Sequence, residues 1–391
     1  MTRSNVAARL KGIRASGIRR LFSLAQTMPD AINLGIGEPD FTPSDHVLEE
    51  AKKALDEGKT HYAPTNGIPE LREALAKKAR ADYGLSYDPD DEILVTVGGT
   101  QAIFLALLSL INPSDEVLIP NPGFVCYEPT ILMADGVPVS VPTLEQNGFK
   151  VDKSLVMSQI TDKSRVVIIN SPHNPTGSVL SYDDLSGLAK LAVGRDLVVI
   201  SDEVYEKITY DGTRHHCLAA FNGMRERTLV IGSFSKTYAM TGFRVGYAYG
   251  PRELISSLAL AHQFSVACVD GIAQYAALAA LEGPQDFVKE MVSEFDRRRR
   301  LLCARLNDIE GFKCGLPKGA FYIFANIKAF DVASEKFAEH LLSSGRVVTV
   351  PGSSFGRYGE GYLRFSYATA YNKIVEALDR IERAVKGFRR L

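Results

Sequence analysis

Leu197-Val198-Val199-Ile200-Ser201-Asp202-Glu203-Val204-Tyr205 decides how this chain folds. Its four leading residues form an unbroken aliphatic run of strand length, the pattern of strands covered on both faces in a parallel sheet. The run then stops on a hydroxyl, two carboxylates and, two residues on, a phenol. In open parallel sheets ligands bind outside the carboxyl ends of the strands, so the residues after such a run are the informative ones.

The same arrangement repeats on either side. Ile93 to Val97 leads into Gly98-Gly99-Thr100-Gln101, which opens a helix, and Val166 to Ile169 leads into Asn170-Ser171-Pro172-His173-Asn174-Pro175-Thr176-Gly177. Thr228 to Ile231 leads into Gly232-Ser233-Phe234-Ser235-Lys236-Thr237, and further runs occur at Val117 to Ile119 and Arg244 to Tyr249. Between these runs lie helix-length segments such as Gln101 to Leu110 and Ser181 to Val193, whose apolar residues recur at three- and four-residue spacing. Strands alternating with helices predict an α/β protein, with a three-layer large domain built on a mostly parallel sheet.

After Pro284 the texture changes. A long charged helical stretch, Phe287 to Leu306, precedes a strand-like Gly319 to Ile327 and a helix near Glu335 to Leu342. Strands at Val347 to Val350 and Tyr362 to Tyr367 and a last helix from about Asn372 to Lys386 follow. Helices and strands without strict alternation predict a smaller α+β domain over residues 285–391. The large domain then covers residues 46–284, and residues 1–45, which have little core potential of their own, pack against the smaller domain.

Composition narrows the function. The 391 residues are 46% hydrophobic and 23% charged, which excludes disordered, collagen-like and low-complexity proteins. With 45 Lys and Arg against 46 Asp and Glu the net charge is -1, so no nucleic-acid or membrane partner is expected and the partner is small. The longest apolar stretch, Ile103 to Ile111 with Ser109 inside it, is about half the length of a membrane-spanning helix. Met1 to Gly12 carries Arg3, Arg9 and Lys11 with no apolar run after them, which predicts no secretory signal. The five cysteines are odd in number, distant in sequence and without a C-x-x-C pair; this argues against a disulfide framework or a cysteine zinc site and for a reducing cytoplasm, with no metal. Arg297 to Arg300, flanked by Glu294 and Asp296, reads as a solvated helix face.

The strand ends carry the chemistry. Gly98-Gly99-Thr100 before a helix exposes backbone N–H groups at the positive helix end, where a phosphate is the natural occupant, although paired glycines also make plain tight turns. Ser233 and Ser235 add hydroxyls, and Arg244 adds a guanidinium fork. The stretch from Gly232 to Thr237 is no nucleotide P-loop, because Ser235 stands where the glycine before the lysine is required. Lys236 is then either a phosphate counter-charge or a Schiff-base amine whose pKa falls on desolvation near other cations. Asp202 is either a turn acid or the ion-pair partner of a protonated ring nitrogen, which turns a heteroaromatic ring into an electron sink. Tyr205 and Asn174 are placed to donate hydrogen bonds to a ring phenolate, and Phe124, in Pro122-Gly123-Phe124, is either a core aromatic or a stacking face.

The ordered set Asn174-Pro175-Thr176-Gly177, Ser201-Asp202-Glu203-Val204-Tyr205, Ser233-Phe234-Ser235-Lys236-Thr237, Gly242-Phe243-Arg244-Val245-Gly246 and Arg364-Phe365-Ser366-Tyr367-Ala368-Thr369 resembles the signature of class I pyridoxal-phosphate aminotransferases, of fold type I. The resemblance runs from Gly35-Ile36-Gly37-Glu38-Pro39-Asp40 to Ala368. It implies that Lys236 forms the imine with pyridoxal 5'-phosphate and then shuttles a proton as general base and acid. It implies further that Asp202 pairs with the pyridine nitrogen, that Asn174 and Tyr205 contact the ring oxygen, and that Phe124 stacks on the ring. Gly99, Thr100, Ser233 and Arg244 would hold the phosphate. Tyr62, in His61-Tyr62-Ala63-Pro64, resembles the tyrosine that reaches the phosphate of the other subunit, which implies a homodimer with shared sites. Arg364, on the apolar pattern Tyr362 to Tyr367, is by itself either an outward arginine on an edge strand or an inward one that needs a partner; it stands where the family places its clamp on the substrate α-carboxylate, which the Gly37 backbone would complete.

Two departures bear on the substrate. The chain has no tryptophan, so the ring stacker is Phe124, and Thr100 stands where some aspartate-type relatives carry a lysine for a distal carboxylate. Ile18-Arg19-Arg20-Leu21-Phe22 and Ser353-Ser354-Phe355-Gly356 look closest to archaeal aromatic and broad-specificity members. The expected reaction is ping-pong transamination from an aromatic or broad range of L-amino acids, aspartate among them, to a 2-oxo acid such as 2-oxoglutarate. The rival readings are a β-eliminating carbon–sulfur lyase on the same coenzyme and a non-catalytic regulator of the same fold.

Overall fold

Thr228–Ser233, the strand that ends where Lys236 begins its short helix, lies near the middle of a seven-stranded sheet. A computed structural model describes residues 6–11, 13, 27–386 and 388; Ile18 to Phe22 lies outside the described residues. Numbered in chain order, the strands of this sheet are β2 (Ile93–Thr96), β3 (Glu116–Asn121), β4 (Val137–Pro142), β5 (Ser164–Asn170), β6 (Val198–Asp202), β7 (Thr228–Ser233) and β8 (Gly246–Tyr249). A short β1 (Ile32–Asn33) precedes them. The order across the sheet is β2-β8-β7-β6-β5-β3-β4. Every strand runs in the same direction except β8, which is antiparallel to both β7 and β2.

The sheet is therefore mixed, with one reversed strand. Parallel neighbours need a long helical crossover, and β7 is followed only by the four-residue helix Phe234–Thr237 before the chain turns back along its own strand. Ser233 pairs with Gly246 across that return, so Lys236 and Arg244 are held on one loop at the sheet edge. The expectation missed β4, which contains Pro138 and Pro142. Proline cannot donate to the ladder, and β4 is an outermost strand bonded only to β3, the position where proline is tolerated. Helices cover the sheet; Tyr182–Gly194 starts at Ser181, whose Oγ accepts from Asp184 N in a capping box.

The remaining strands form a second unit. β9 (Tyr322–Asn326), β11 (Val350–Pro351) and β12 (Tyr362–Ser366) make an antiparallel sheet in the order β11-β12-β9. β1 pairs in parallel with β10 (Val347–Val348). The single strand expected from Val347 to Val350 is thus two, split at Thr349, because β10 and β11 serve different sheets. Helices Asp286–Asp308, Ser334–Gly345 and Tyr371–Lys386 pack around one core, in which Ile32 and Leu34 join Phe295, Phe321, Phe337 and Leu378.

The arginine run departs from the solvated face expected of it. Successive helical residues point about 100° apart, so four in a row cannot share one face. Arg297 lies on Glu294 at the surface, whereas Arg298 is buried between Asp40 and Glu294, and Arg299 is fully buried against Asp211 and Asp296. These two charges tie the helix to the 40s loop and to the 211 turn. Two of the cysteines, eleven residues apart, meet: Cys303 Sγ and Cys314 Sγ are 3.7 Å apart, both as free thiols. Among the described residues no helix is long and apolar enough to cross a membrane.

Candidate active site

The ends of β5 and β6 build the acid. Asp202, the last residue of β6, is buried and accepts a hydrogen bond from Tyr127 Oη at 2.5 Å. Burial pushes its carboxyl up to about 6, with the Tyr127 hydroxyl acting against that rise. Asn170, at the end of β5, fixes the neighbouring loop: its Nδ2 donates to the Asp202 carbonyl at 2.8 Å, and its Oδ1 accepts from Asn174 N at 2.9 Å. Asn174 is thereby held beside Asp202.

The end of β7 builds the amine. Ser233 Oγ accepts from Ser235 N at 3.1 Å and caps the helical turn that presents Lys236. Lys236 Nζ donates to the Gly37 carbonyl at 2.6 Å. Its pKa is lowered from 10.5 to about 8, chiefly by burial and further by the Arg244 and Arg364 cations, against an upward pull from Glu38.

Between them lies an anion cradle. Helix Gly98–Leu110 begins at the end of β2, and Gly98 has φ 75°, a backbone that favours glycine. A Cβ there would come within 2.6 Å of Arg244 Nη2, so the guanidinium sits over the helix N-terminus. Arg244 is itself anchored by Nη1 donating to the Thr241 carbonyl at 2.9 Å. A Cβ on Gly246 would strike the Gly98–Gly99 backbone, and one on Gly99 would lie 3.7 Å from Ser233 Cβ, which brings the helix end, Ser233 and Arg244 together. Thr100 is exposed in the first turn. Backbone N–H groups, a hydroxyl and a guanidinium around a helix N-terminus suit a phosphate.

Arg364, on β12, reaches across from the small sheet. It is buried, with Nη1 donating to Asn174 Oδ1 at 2.9 Å and Nη2 donating to the Gly35 carbonyl at 2.6 Å. The guanidinium lies between the rings of Tyr322, 4.3 Å away, and Phe355, 4.8 Å away. Its backbone partner is Gly35, while Gly37 serves Lys236. Tyr205 Oη is 2.8 Å from Tyr322 Oη. Phe124 is half-buried and packs edge-on against Tyr127, the residue that donates to Asp202.

Lys236, Asp202, Asn174, Tyr205, Gly37 and Arg364 are thus linked through short contacts, with Gly99, Ser233 and Arg244 at the cradle. Tyr62 is 91% exposed and joins none of these contacts. Sequence reasoning missed Tyr127, Asn170 and Tyr322. Asn170 carried a signal as the residue that closes the Val166 run; Tyr127 and Tyr322 read as ordinary apolar positions of a helix and a strand.

A depressed lysine amine, a buried acid and an anion cradle match the aldehyde, ring nitrogen and phosphate of pyridoxal phosphate, and define an enzyme that works through that coenzyme. Residues 29–381 match the family model for aminotransferase class I and II. The chain is 47% identical to an aspartate aminotransferase of Pyrococcus abyssi and 46% identical to aromatic-amino-acid aminotransferase 2 of Thermococcus litoralis, each over 380 residues and 97% of both chains. Among solved structures, an aromatic aminotransferase from Pyrococcus horikoshii matches with TM-score 0.90 at 46% identity, over 94% of this chain and 98% of that one. The aspartate aminotransferase of Thermus thermophilus with maleate matches with TM-score 0.93 at 38% identity, over 98% of this chain and 100% of that one. The chain belongs to the class I and II aminotransferases and is a pyridoxal-phosphate-dependent aminotransferase.

Proposed function

We propose that the enzyme moves the amino group of aromatic amino acids, and of a broader range including aspartate, to a 2-oxo acid such as 2-oxoglutarate, in two half-reactions that share the Arg364 site. The observation that carries the proposal is a buried charge without a counter-charge. Among the described residues the hydrogen-bond partners of Arg364 are the neutral acceptors Asn174 Oδ1 and Gly35 O, and its Nε is buried without a partner. Burial accordingly lowers its pKa. A lone buried cation is costly, and an arriving carboxylate supplies the missing charge with bidentate geometry. Amino acids and 2-oxo acids share that carboxylate, so one clamp serves both half-reactions.

Bound pyridoxal phosphate supplies an aldehyde that condenses with amines and a ring that withdraws electrons from the adjacent carbon. When it is bound, Asp202 would hold the ring nitrogen protonated, Tyr205 and Asn174 would hydrogen-bond the ring oxygen, and Phe124 would pack against the ring. Gly99, Thr100, Ser233 and Arg244 would hold the phosphate. Lys236 Nζ would take the proton from the substrate α-carbon and return it; an amine with a pKa near 8 suits both directions at neutral pH.

Support for an aromatic and broad range comes from Thr100, which offers no cation for a distal carboxylate, and from the two relatives named as aspartate and aromatic enzymes. Half-reaction spectra of the purified enzyme against a panel of amino acids test it. Phenylalanine, tyrosine and aspartate should each bleach the coenzyme colour. Equal rates with aspartate and alanine and none with the aromatic amino acids would overturn the proposal.

The enzyme is further read as a cytoplasmic homodimer in which Tyr62, 91% exposed in the single chain, reaches the phosphate of the partner's site. The described residues within 1–45 and 285–391 form the part that closes on the substrate and excludes water. The pairing of Ile32 and Asn33 with Val347 and Val348 supports that division, and the five free thiols support a reducing compartment. Crystals grown with and without a dicarboxylate should show two subunits with each Tyr62 at the other's cradle, and residues 285–391 moving as one body. A monomer in solution, or no relative movement, contradicts the corresponding reading.

A further inference from the structure

We propose that Tyr322 is a positioning residue for the coenzyme ring oxygen, because its hydroxyl donates to Tyr205 and so commits the single Tyr205 proton to that oxygen. The inference rests on the placement of Tyr205 at the ring oxygen given above.

Proton counting leads to it. Tyr322 opens β9 in the small sheet and Tyr205 follows β6 in the large one, so their 2.8 Å contact bridges the two parts of the molecule. Both phenols are buried, and this is the hydrogen bond that each hydroxyl makes among the described residues. Each hydroxyl has one proton. One of the two is spent on the shared bond and the other points outward from one end of the pair. At the Tyr322 end the hydroxyl makes no second hydrogen bond among the described residues: the Arg364 guanidinium lies over the ring, and a Cβ on Gly37 would collide with the hydroxyl oxygen. The carbonyls of Gly35 and Gly37 already accept from Arg364 and Lys236. An arginine accepts no hydrogen bond. The arrangement that wastes no proton therefore has Tyr322 donating to Tyr205 and Tyr205 donating onward.

The electrostatics point the same way. Burial raises the pKa of both phenols and Arg364 acts downward on both, second only to burial at Tyr322 and further down the order at Tyr205, which favours Tyr322 as the donor. Asp202 and Arg364 are the charged groups that act on Tyr205. Lys236, with Glu38 and Arg244 acting on it, completes the charged surroundings. Donation into a hydroxyl strengthens that hydroxyl as a donor, by roughly a tenth to a third per bond.

The test is a pH titration of the bound-coenzyme absorbance in the holoenzyme. In Tyr322→Phe the ring oxygen loses part of its stabilisation and becomes more basic, so the midpoint should rise by about 0.3 unit, a twofold change in the equilibrium. Affinity for 3-phenylpropionate should stay within about twofold, because the phenylalanine ring remains under Arg364. Tyr205→Phe should raise the midpoint further, and the double variant should match Tyr205→Phe alone. Replacing Tyr322 with 3-fluorotyrosine, a stronger donor, should move the midpoint down; this also serves if the phenylalanine variant folds poorly. An unmoved midpoint in Tyr322→Phe beside a shifted one in Tyr205→Phe overturns the relay alone, as does simple additivity in the double variant. A silent Tyr205→Phe overturns the placement of Tyr205 and the relay with it.

Discussion

Lys236→Ala should lower turnover about ten-thousand-fold or more while the protein stays folded and still binds pyridoxal phosphate through the cradle and Asp202. On the proposed assignment two functions are lost together, bonding the coenzyme and carrying the proton at the substrate α-carbon, each a large contributor. Single-turnover absorbance with phenylalanine measures this directly. A variant that keeps more than about a hundredth of wild-type turnover would contradict the assignment. The wild-type amine carries a pH signature as well. Its folded-state pKa of about 8 lies below the ordinary 10.5, so the free base is already present near neutrality. At pH 7 about a tenth of such amines are unprotonated, roughly 300-fold more than for an ordinary lysine. Capture of the coenzyme by apoenzyme should rise tenfold per unit of pH below 8 and level off above it. A rate that keeps climbing to pH 10 would show an unshifted lysine.

Arg364→Ala should reduce kcat/KM for every amino acid substrate by on the order of 100- to 1,000-fold, the usual cost of removing one partner of a buried charge pair. Most of the loss should appear in KM, because the carboxylate is held alike before and during the chemistry. Arg364→Lys should recover only part of it, since an ammonium cannot reproduce a two-pronged contact. Unchanged KM values, with the bound-coenzyme spectrum intact, would place the carboxylate elsewhere.

Much of this architecture is legible in the chain because strand ends in an open sheet announce themselves by a change of chemistry. Asp202 and Lys236 each follow a buried aliphatic run, and their roles rest on what the backbone does next. β4 escaped because its prolines argue against a strand, and only its place at the edge of the sheet excuses them. The direction of β8 escaped because polarity is decided by the return loop after Ser233, which carries no signal in apolar periodicity. Arg298 and Arg299 looked solvated because their partners Asp40 and Asp211 are distant in sequence. The same reason hid Tyr127 and Tyr322: an aromatic on a helix or a strand reads as core until the fold places Asp202 or Tyr205 against its hydroxyl.

Borohydride reduction of the holoenzyme, followed by peptide mapping, goes to the centre of the account. A pyridoxyl-phosphate mass addition on the peptide containing Lys236, and on no other lysine, is the expected result. Label at a different amine, or none after the coenzyme has been added back, would contradict it.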